Sequence, residues 1–126
     1  MATALIADDD AVTLGIVAQT LQRLGYTVTL ADDGDELLQQ IAEHPFDLLV
    51  TDVSMPWMTG LQVVHSARAA GLATPLVVMT GLALDPEVVA SLGPCAVLLR
   101  KPFGARQLAA AVTHVIREGS HVHPGS

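Results

Sequence analysis

Phe46-Asp47-Leu48-Leu49-Val50-Thr51-Asp52-Val53-Ser54-Met55-Pro56 is the stretch whose reading decides the fold. Its first half is a continuous apolar run with no helical period. That pattern predicts a strand buried on both faces, as in a parallel sheet covered by helices. The run stops at the carboxylate Asp52 and soon meets Pro56, which lacks a backbone donor and resists continuing a strand. An acidic group is thereby carried to the carboxyl end of a central strand, the edge at which ligands sit in open α/β sheets. The plain alternative is that Asp52 caps a turn or the next helix, and the remaining strands decide between the two.

Towards the N-terminus, Pro45 closes a helix carrying Leu37, Leu38 and Ile41 on one face, which Asp35 is expected to cap after the loop Asp32-Asp33-Gly34-Asp35. Tyr26 to Ala31 reads as a strand. Before it, Val12, Ile16, Val17, Thr20, Leu21 and Leu24 recur at helical spacing, and Gly25 supplies the stop. Ala4-Leu5-Ile6-Ala7 is a short apolar strand ending at Asp8-Asp9-Asp10. Three adjacent carboxylates repel one another, and the N-terminus of the following helix would relieve them. Asp10 is expected to cap that helix.

Towards the C-terminus, Gly60 opens a helix with Leu61, Val63, Val64 and Ala67 as its apolar side, and Gly71 ends it. Leu76-Val77-Val78-Met79-Thr80 is another buried run. Asp85-Pro86-Glu87 combines a cap, a proline at the first helical position and an acid in the first turn, so a fourth helix is predicted there with Val88, Val89 and Leu92 as its face. Ala96 to Arg100 reads as the fifth strand and ends at Lys101-Pro102. The last helix carries Leu108, Ala111, Val112, Val115 and Ile116, and a patternless, disordered tail is expected over 120–126. Five strands alternating with five helices demand right-handed crossovers and one doubly wound α/β domain over residues 1–119.

Composition agrees. A chain of 126 residues suits one domain, and 51% hydrophobic residues with only 3% aromatics imply a core of Val, Leu, Ile and Ala. A net charge of −7 disfavours general nucleic-acid binding, since no excess of Lys and Arg exists to replace phosphate counterions. No apolar run is long enough to span a bilayer, and Met1-Ala2-Thr3 begins no signal peptide. With Cys95 alone there is no disulfide framework, and a cytoplasmic protein is expected. His44, His65, His114, His121 and His123 lack clustered ligand spacing and read as surface residues.

The carboxyl ends of the strands lie along one edge of such a sheet. The first brings Asp8 and Asp9, the third Asp52, the fourth Thr80 and the fifth Lys101. Three carboxylates form an oxygen-rich, negative site that suits a hard cation such as Mg²⁺. A hydroxyl and an ammonium remain to grip phosphoryl oxygens. Together they point to a carboxylate nucleophile, a charge-bridging metal and two donors on the developing equatorial oxygens.

These residues resemble the receiver domain of two-component response regulators. The resemblance runs from Leu5 to about Ile116 and rests on Asp8-Asp9, the stretch around Asp52, Met58-Thr59-Gly60, Met79-Thr80-Gly81 and Lys101-Pro102-Phe103, in that order. It implies a flavodoxin-like sheet of order 2-1-3-4-5. It further implies that Asp52 is phosphorylated by a histidine kinase or phosphotransfer protein. Mg²⁺ would be held by Asp8 through a water, by Asp9 and Asp52 directly, and by the backbone carbonyl of Ser54. Thr80 would donate its hydroxyl to the phosphoryl group, and Lys101 would pair with it beside a cis bond to Pro102. The face of the fourth helix, fifth strand and fifth helix, with Arg100 and Arg106, would meet a downstream protein.

The chain departs from the family pattern at several places. Leu98 stands where the family usually has a Tyr or Phe that reports the movement of Thr80 to the output face. Gly81 follows Thr80 and gives it room to move, so the loop of Gly81 and Leu82 shares the switch with Leu98 and Pro102. Trp57 occupies the loop after Asp52, often Gly in the family, where a ring suits a partner contact. Ser54 and Leu82 flank the path of an attacking water, and neither can orient it as a carboxamide would, so slow self-dephosphorylation is expected.

Two other functions compete. A metal-dependent phosphohydrolase of the haloacid-dehalogenase type would need a second Asp two residues after the nucleophile, where this chain has Ser54. A degenerate receiver that only binds a protein would lack the acceptor, Thr or Lys, and all three are present. A stand-alone regulator and a receiver module of a hybrid kinase or multidomain regulator fit the resemblance equally.

Overall fold

The computed structural model describes residues 2–8, 10–52, 62, 65, 68, 74–81 and 95–121. Its strands are β1 (Thr3–Ala7), β2 (Thr27–Ala31), β3 (Leu48–Asp52), β4 (Leu76–Thr80) and β5 (Ala96–Arg100). They form one sheet of order β2-β1-β3-β4-β5, every neighbouring pair parallel. Among the described residues three helices are complete: α1 (Ala11–Arg23), α2 (Gly34–Glu43) and α3 (Ala105–His121). The helix expected from Gly60 and the one expected from Asp85 lie largely or wholly outside the described residues; of the first, Gln62, His65 and Arg68 are helical.

The pleat sorts the strand residues into two cores. Ala4, Ile6, Leu48, Val50, Val77, Met79 and Leu99 point to one face and pack on Val17 and Leu21 of α1 and on Leu108, Ala111, Val112 and Val115 of α3. Leu5, Ala7, Leu49, Leu76 and Val78 point to the other face and pack on Leu37 of α2, with Ile41, Ala96 and Leu98 partly buried alongside. Every residue of β3 and β4 is buried, which is why these strands read as unbroken apolar runs.

Helix boundaries follow local chemistry. Asp10 caps α1, its Oδ1 accepting from Val12 N–H at 3.1 Å and its Oδ2 from the Thr13 hydroxyl at 2.7 Å. Gly25 ends it with φ at 98°, a left-handed conformation that costs glycine little. The cap of α2 is Asp33 rather than Asp35. Its Oδ1 accepts from Glu36 N–H at 2.7 Å, the helix starts at Gly34, and Asp35 falls in the first turn, where its charge suits the helix dipole.

Two further expectations are corrected. The inward side of α1 is Leu14, Val17, Ala18 and Leu21, while Val12, Ile16 and Leu24 are exposed. The helix carries two overlapping apolar stripes, and only one can meet the sheet. At the other end of the chain, α3 runs through Ser120 to His121, past the expected boundary at Gly119, because a lone glycine costs a helix only ~1 kcal/mol.

Candidate functional site

β1, β3 and β5 each end on the same sheet edge, and their last side chains continue the same alternation. Ala4 and Ile6 lead to Asp8, Leu48 and Val50 to Asp52, and Val97 and Leu99 to Lys101. All three polar groups therefore emerge on the side covered by α1 and α3. Asp8 is wholly buried and Asp52 is 6% exposed. The Lys101 ammonium lies 2.8 Å from Asp8 Oδ2 and 3.6 Å from Asp52 Oδ1. Thr80, fully buried at the end of β4, accepts the Lys101 N–H on its carbonyl at 2.7 Å. The Lys101–Pro102 peptide is cis.

Asp8 is tightly held. Its backbone N–H donates to Ala31 O at 3.2 Å, and its Oδ1 accepts from the backbone N–H of Asp10 at 2.9 Å. Among the described residues no buried side-chain nitrogen or oxygen lacks a hydrogen-bond partner. Burial alone would push the Lys101 ammonium down. The hydrogen bond to Asp8 and the charges of Asp52 and Asp8 outweigh it, so its pKa stands above the ordinary lysine value.

The donor set has a definite chemical preference. Asp8 and Asp52 offer only hard carboxylate oxygens, and their formal charge exceeds that of Lys101. Buried charge is costly unless paired, so such a site favours a further hard cation. A cleft of about 380 Å³ lined by Thr13, Ile16, Lys101, Pro102 and Phe103 opens beside it.

Of the residues singled out from the sequence, Asp8, Asp52, Thr80 and Lys101 thus stand at the ends of four strands, three of them in direct contact. Gly81 and Pro102 are exposed at the rim. Leu98 is partly buried and pairs in register with Val78, while Arg100 pairs with Thr80. Asp9, Ser54, Trp57 and Leu82 lie outside the described residues. A second acidic group was missed in the sequence: carboxylate oxygens of Asp32, Asp33 and Glu36 lie within 4.8 Å of one another. A hydrogen bond with Asp32 raises the Glu36 pKa above the ordinary range, with burial adding to the rise. The signal was the cap spacing from Asp33 to Glu36, which turns both side chains to one turn of α2.

The model of the family described as the response regulator receiver domain matches residues 4–113. The chain is 39% identical over 114 residues to the response regulator MprA of Mycobacterium ulcerans, and 37% identical over 114 residues to that of Mycobacterium leprae. These alignments cover 90% of this chain and 49% and 50% of the two relatives, so the chain spans about half the length of the curated relatives it matches. Among solved structures it is similar to the chemotaxis response regulator CheY4 of Vibrio cholerae, with a TM-score of 0.82 and 32% identity over 91% of this chain and 98% of that one. A CheY-like receiver domain protein from Methanospirillum hungatei gives a TM-score of 0.85 and 26% identity over 98% of this chain and 99% of that one.

Proposed function

The chain belongs to the response regulator receiver domain family, and from that premise we propose that its carboxylate Asp52 accepts a phosphoryl group from a histidine kinase or phosphotransfer protein. The observation that carries this is the meeting of buried Asp52, buried Asp8 and Lys101 at three strand ends. An Asp52 oxygen attacks the phosphorus of a phosphohistidine. The P–O bond forms as the P–N bond breaks, and the electron pair leaves with the imidazole. Lys101 and Thr80 donate to the equatorial oxygens, where charge-assisted bonds count most.

Asp8, Asp9, Asp52 and the carbonyl of Ser54 would hold Mg²⁺, which when bound supplies positive charge between carboxylate and phosphoryl oxygens. The buried carboxylates outnumber the one ammonium beside them, and that supports a cation here. With Ser54 in place of a general acid, release of phosphate by hydrolysis is slow, and the module is a switch rather than a dedicated hydrolase. In this reading the receiver extends through the end of α3 and works in the cytoplasm, either alone or within a longer regulator. Among the described residues no helix is long and apolar enough to cross a membrane. The output face includes β5 and α3 with exposed Arg100 and Arg106.

The test is labelling. Incubation with Mg²⁺ and acetyl phosphate should add one acid-stable, base-labile phosphoryl group, located at Asp52 by mass spectrometry and lost in Asp52→Asn. A label on His or Ser would overturn the assignment.

A further inference from the structure

We propose that Asp10 is a positioning residue for the cation site: it fixes which oxygen of Asp8 is offered to a cation. The inference rests on the Mg²⁺ reading above and deepens it. Asp8 is a carboxylate with two oxygens, and a free carboxylate rotates between them. Here Oδ1 is committed, accepting the Asp10 backbone N–H at 2.9 Å. Oδ2 alone faces a cation, which in this structure is the Lys101 ammonium at 2.8 Å.

The group holding Oδ1 is itself held. Asp10 caps α1 with both carboxylate oxygens, Oδ1 on Val12 N–H at 3.1 Å and Oδ2 on the Thr13 hydroxyl at 2.7 Å. Its backbone is extended, with φ at −93° and ψ at 111°, the geometry of a cap. The cap thus sets the direction of the Asp10 N–H, the N–H sets the rotation of the Asp8 carboxylate, and the carboxylate presents Oδ2. Partners that orient the groups around a metal, including a carboxylate that would hold a metal-bound water, ordinarily matter to metal affinity as well as the direct ligands do. The Asp10 hydrogen bonds run to Asp8, Val12 and Thr13, and its charge reaches Lys101 only at a distance. Its effect passes through Asp8.

Calorimetric titration of the full chain with Mg²⁺ alone tests this. Asp10→Ala, which keeps the N–H but loses the cap, should weaken Mg²⁺ binding roughly tenfold. Asp10→Asn keeps an oxygen for Val12 N–H and should bind within about twofold of wild type, although it lacks the charge. Val115→Ala, a core truncation well along α3, should also bind like wild type at a comparable loss of stability. Should Asp10→Ala fold poorly by circular dichroism, Thr13→Val removes only the hydroxyl on Oδ2 and should give a smaller weakening in the same direction. Unchanged affinity in Asp10→Ala or, failing that, in Thr13→Val would overturn the proposal. So would equal weakening in Asp10→Asn and Asp10→Ala, since charge alone would then explain it. Asp8→Asn separates the premise from the inference. If it binds Mg²⁺ as wild type does, the metal site itself is misassigned. If it abolishes binding while Asp10→Ala changes nothing, only the role of Asp10 falls.

Discussion

Lys101 and Asp8, ninety-three residues apart in sequence, meet in a 2.8 Å ion pair at the edge of the sheet. The ammonium sits closer to Asp8 than to Asp52, at 3.6 Å, so it occupies the carboxylate oxygen that would hold a metal-bound water. On the proposed reading, Lys101 would compete with Mg²⁺ in the resting protein and would exchange Asp8 for the phosphoryl group on activation. Lys101→Met should tighten Mg²⁺ binding about three- to tenfold, since a like charge a few ångströms away is removed. The same substitution should slow phosphorylation by acetyl phosphate and impair it more than folding, because a donor to the phosphoryl oxygens is lost. Titration calorimetry and the rate of labelling read the two effects separately. Weaker Mg²⁺ binding in Lys101→Met would refute the competition.

Metal binding should also appear as stability. A ligand that binds only the folded state raises the melting temperature with its concentration. Mg²⁺ should do so across the high-micromolar to millimolar range, as expected for a hydrated ion held by few protein carboxylates. Asp9→Ala should abolish the rise. If the variant keeps the wild-type dependence, Asp9 is not a ligand.

The middle of the sheet was legible because β3 and β4 are buried on both faces. Leu76 to Thr80 and Ala96 to Arg100 are bounded in the structure where their apolar runs begin and end. The meeting of Asp8, Asp52 and Lys101 was legible as well, since each stands at or just past the end of a strand and shares its parity with the residues facing α1 and α3. Helix details were less so. Asp33 and Asp35 both offer a capping carboxylate, and only the bond to Glu36 N–H separates them. Val12 and Ile16 have the period of a buried stripe and still face outward, because periodicity gives the width of an apolar surface and not which part of it the sheet covers. That Lys101 prefers Asp8 to Asp52 depends on distances below an ångström, which no spacing in the sequence encodes.

The opposite edge of the sheet supplies a spectroscopic check. Tyr26, the only tyrosine, has its pKa raised above the ordinary value, first by burial and then by the charge of Asp47. An acid with a raised folded pKa stabilises the fold below its ordinary pKa, and that contribution is lost as the pH rises through the folded value. The tyrosinate absorbance should therefore appear at a higher pH in the native chain than in the denatured one. Asp47→Asn should lower the native midpoint only in part, because burial is the larger cause. A native midpoint at or below the denatured one would contradict the packing of Tyr26.

The last prediction concerns output. A receiver must convert one phosphoryl group into a changed surface, which needs an element with two arrangements. In the family an aromatic ring at position 98 usually fills the space that the threonine leaves. Here Leu98 is partly buried against the core of Leu5, Leu76 and Val78, in register with Val78 and two residues before the pair of Arg100 and Thr80. A leucine so packed exposes little new surface when it changes rotamer. The response should therefore rest on the loop from Gly81 and the helix expected at Asp85, not on residue 98. Leu98→Ala should cost less than the ~2–5 kcal/mol of a fully buried leucine truncation, leaving a folded protein to compare. Amide spectra with and without Mg²⁺ and beryllium fluoride should show their largest shifts over residues 81–92, and those shifts should survive Leu98→Ala. If the substitution erases them while Mg²⁺ and beryllium fluoride still bind, Leu98 is the switch after all and the signal leaves through β5.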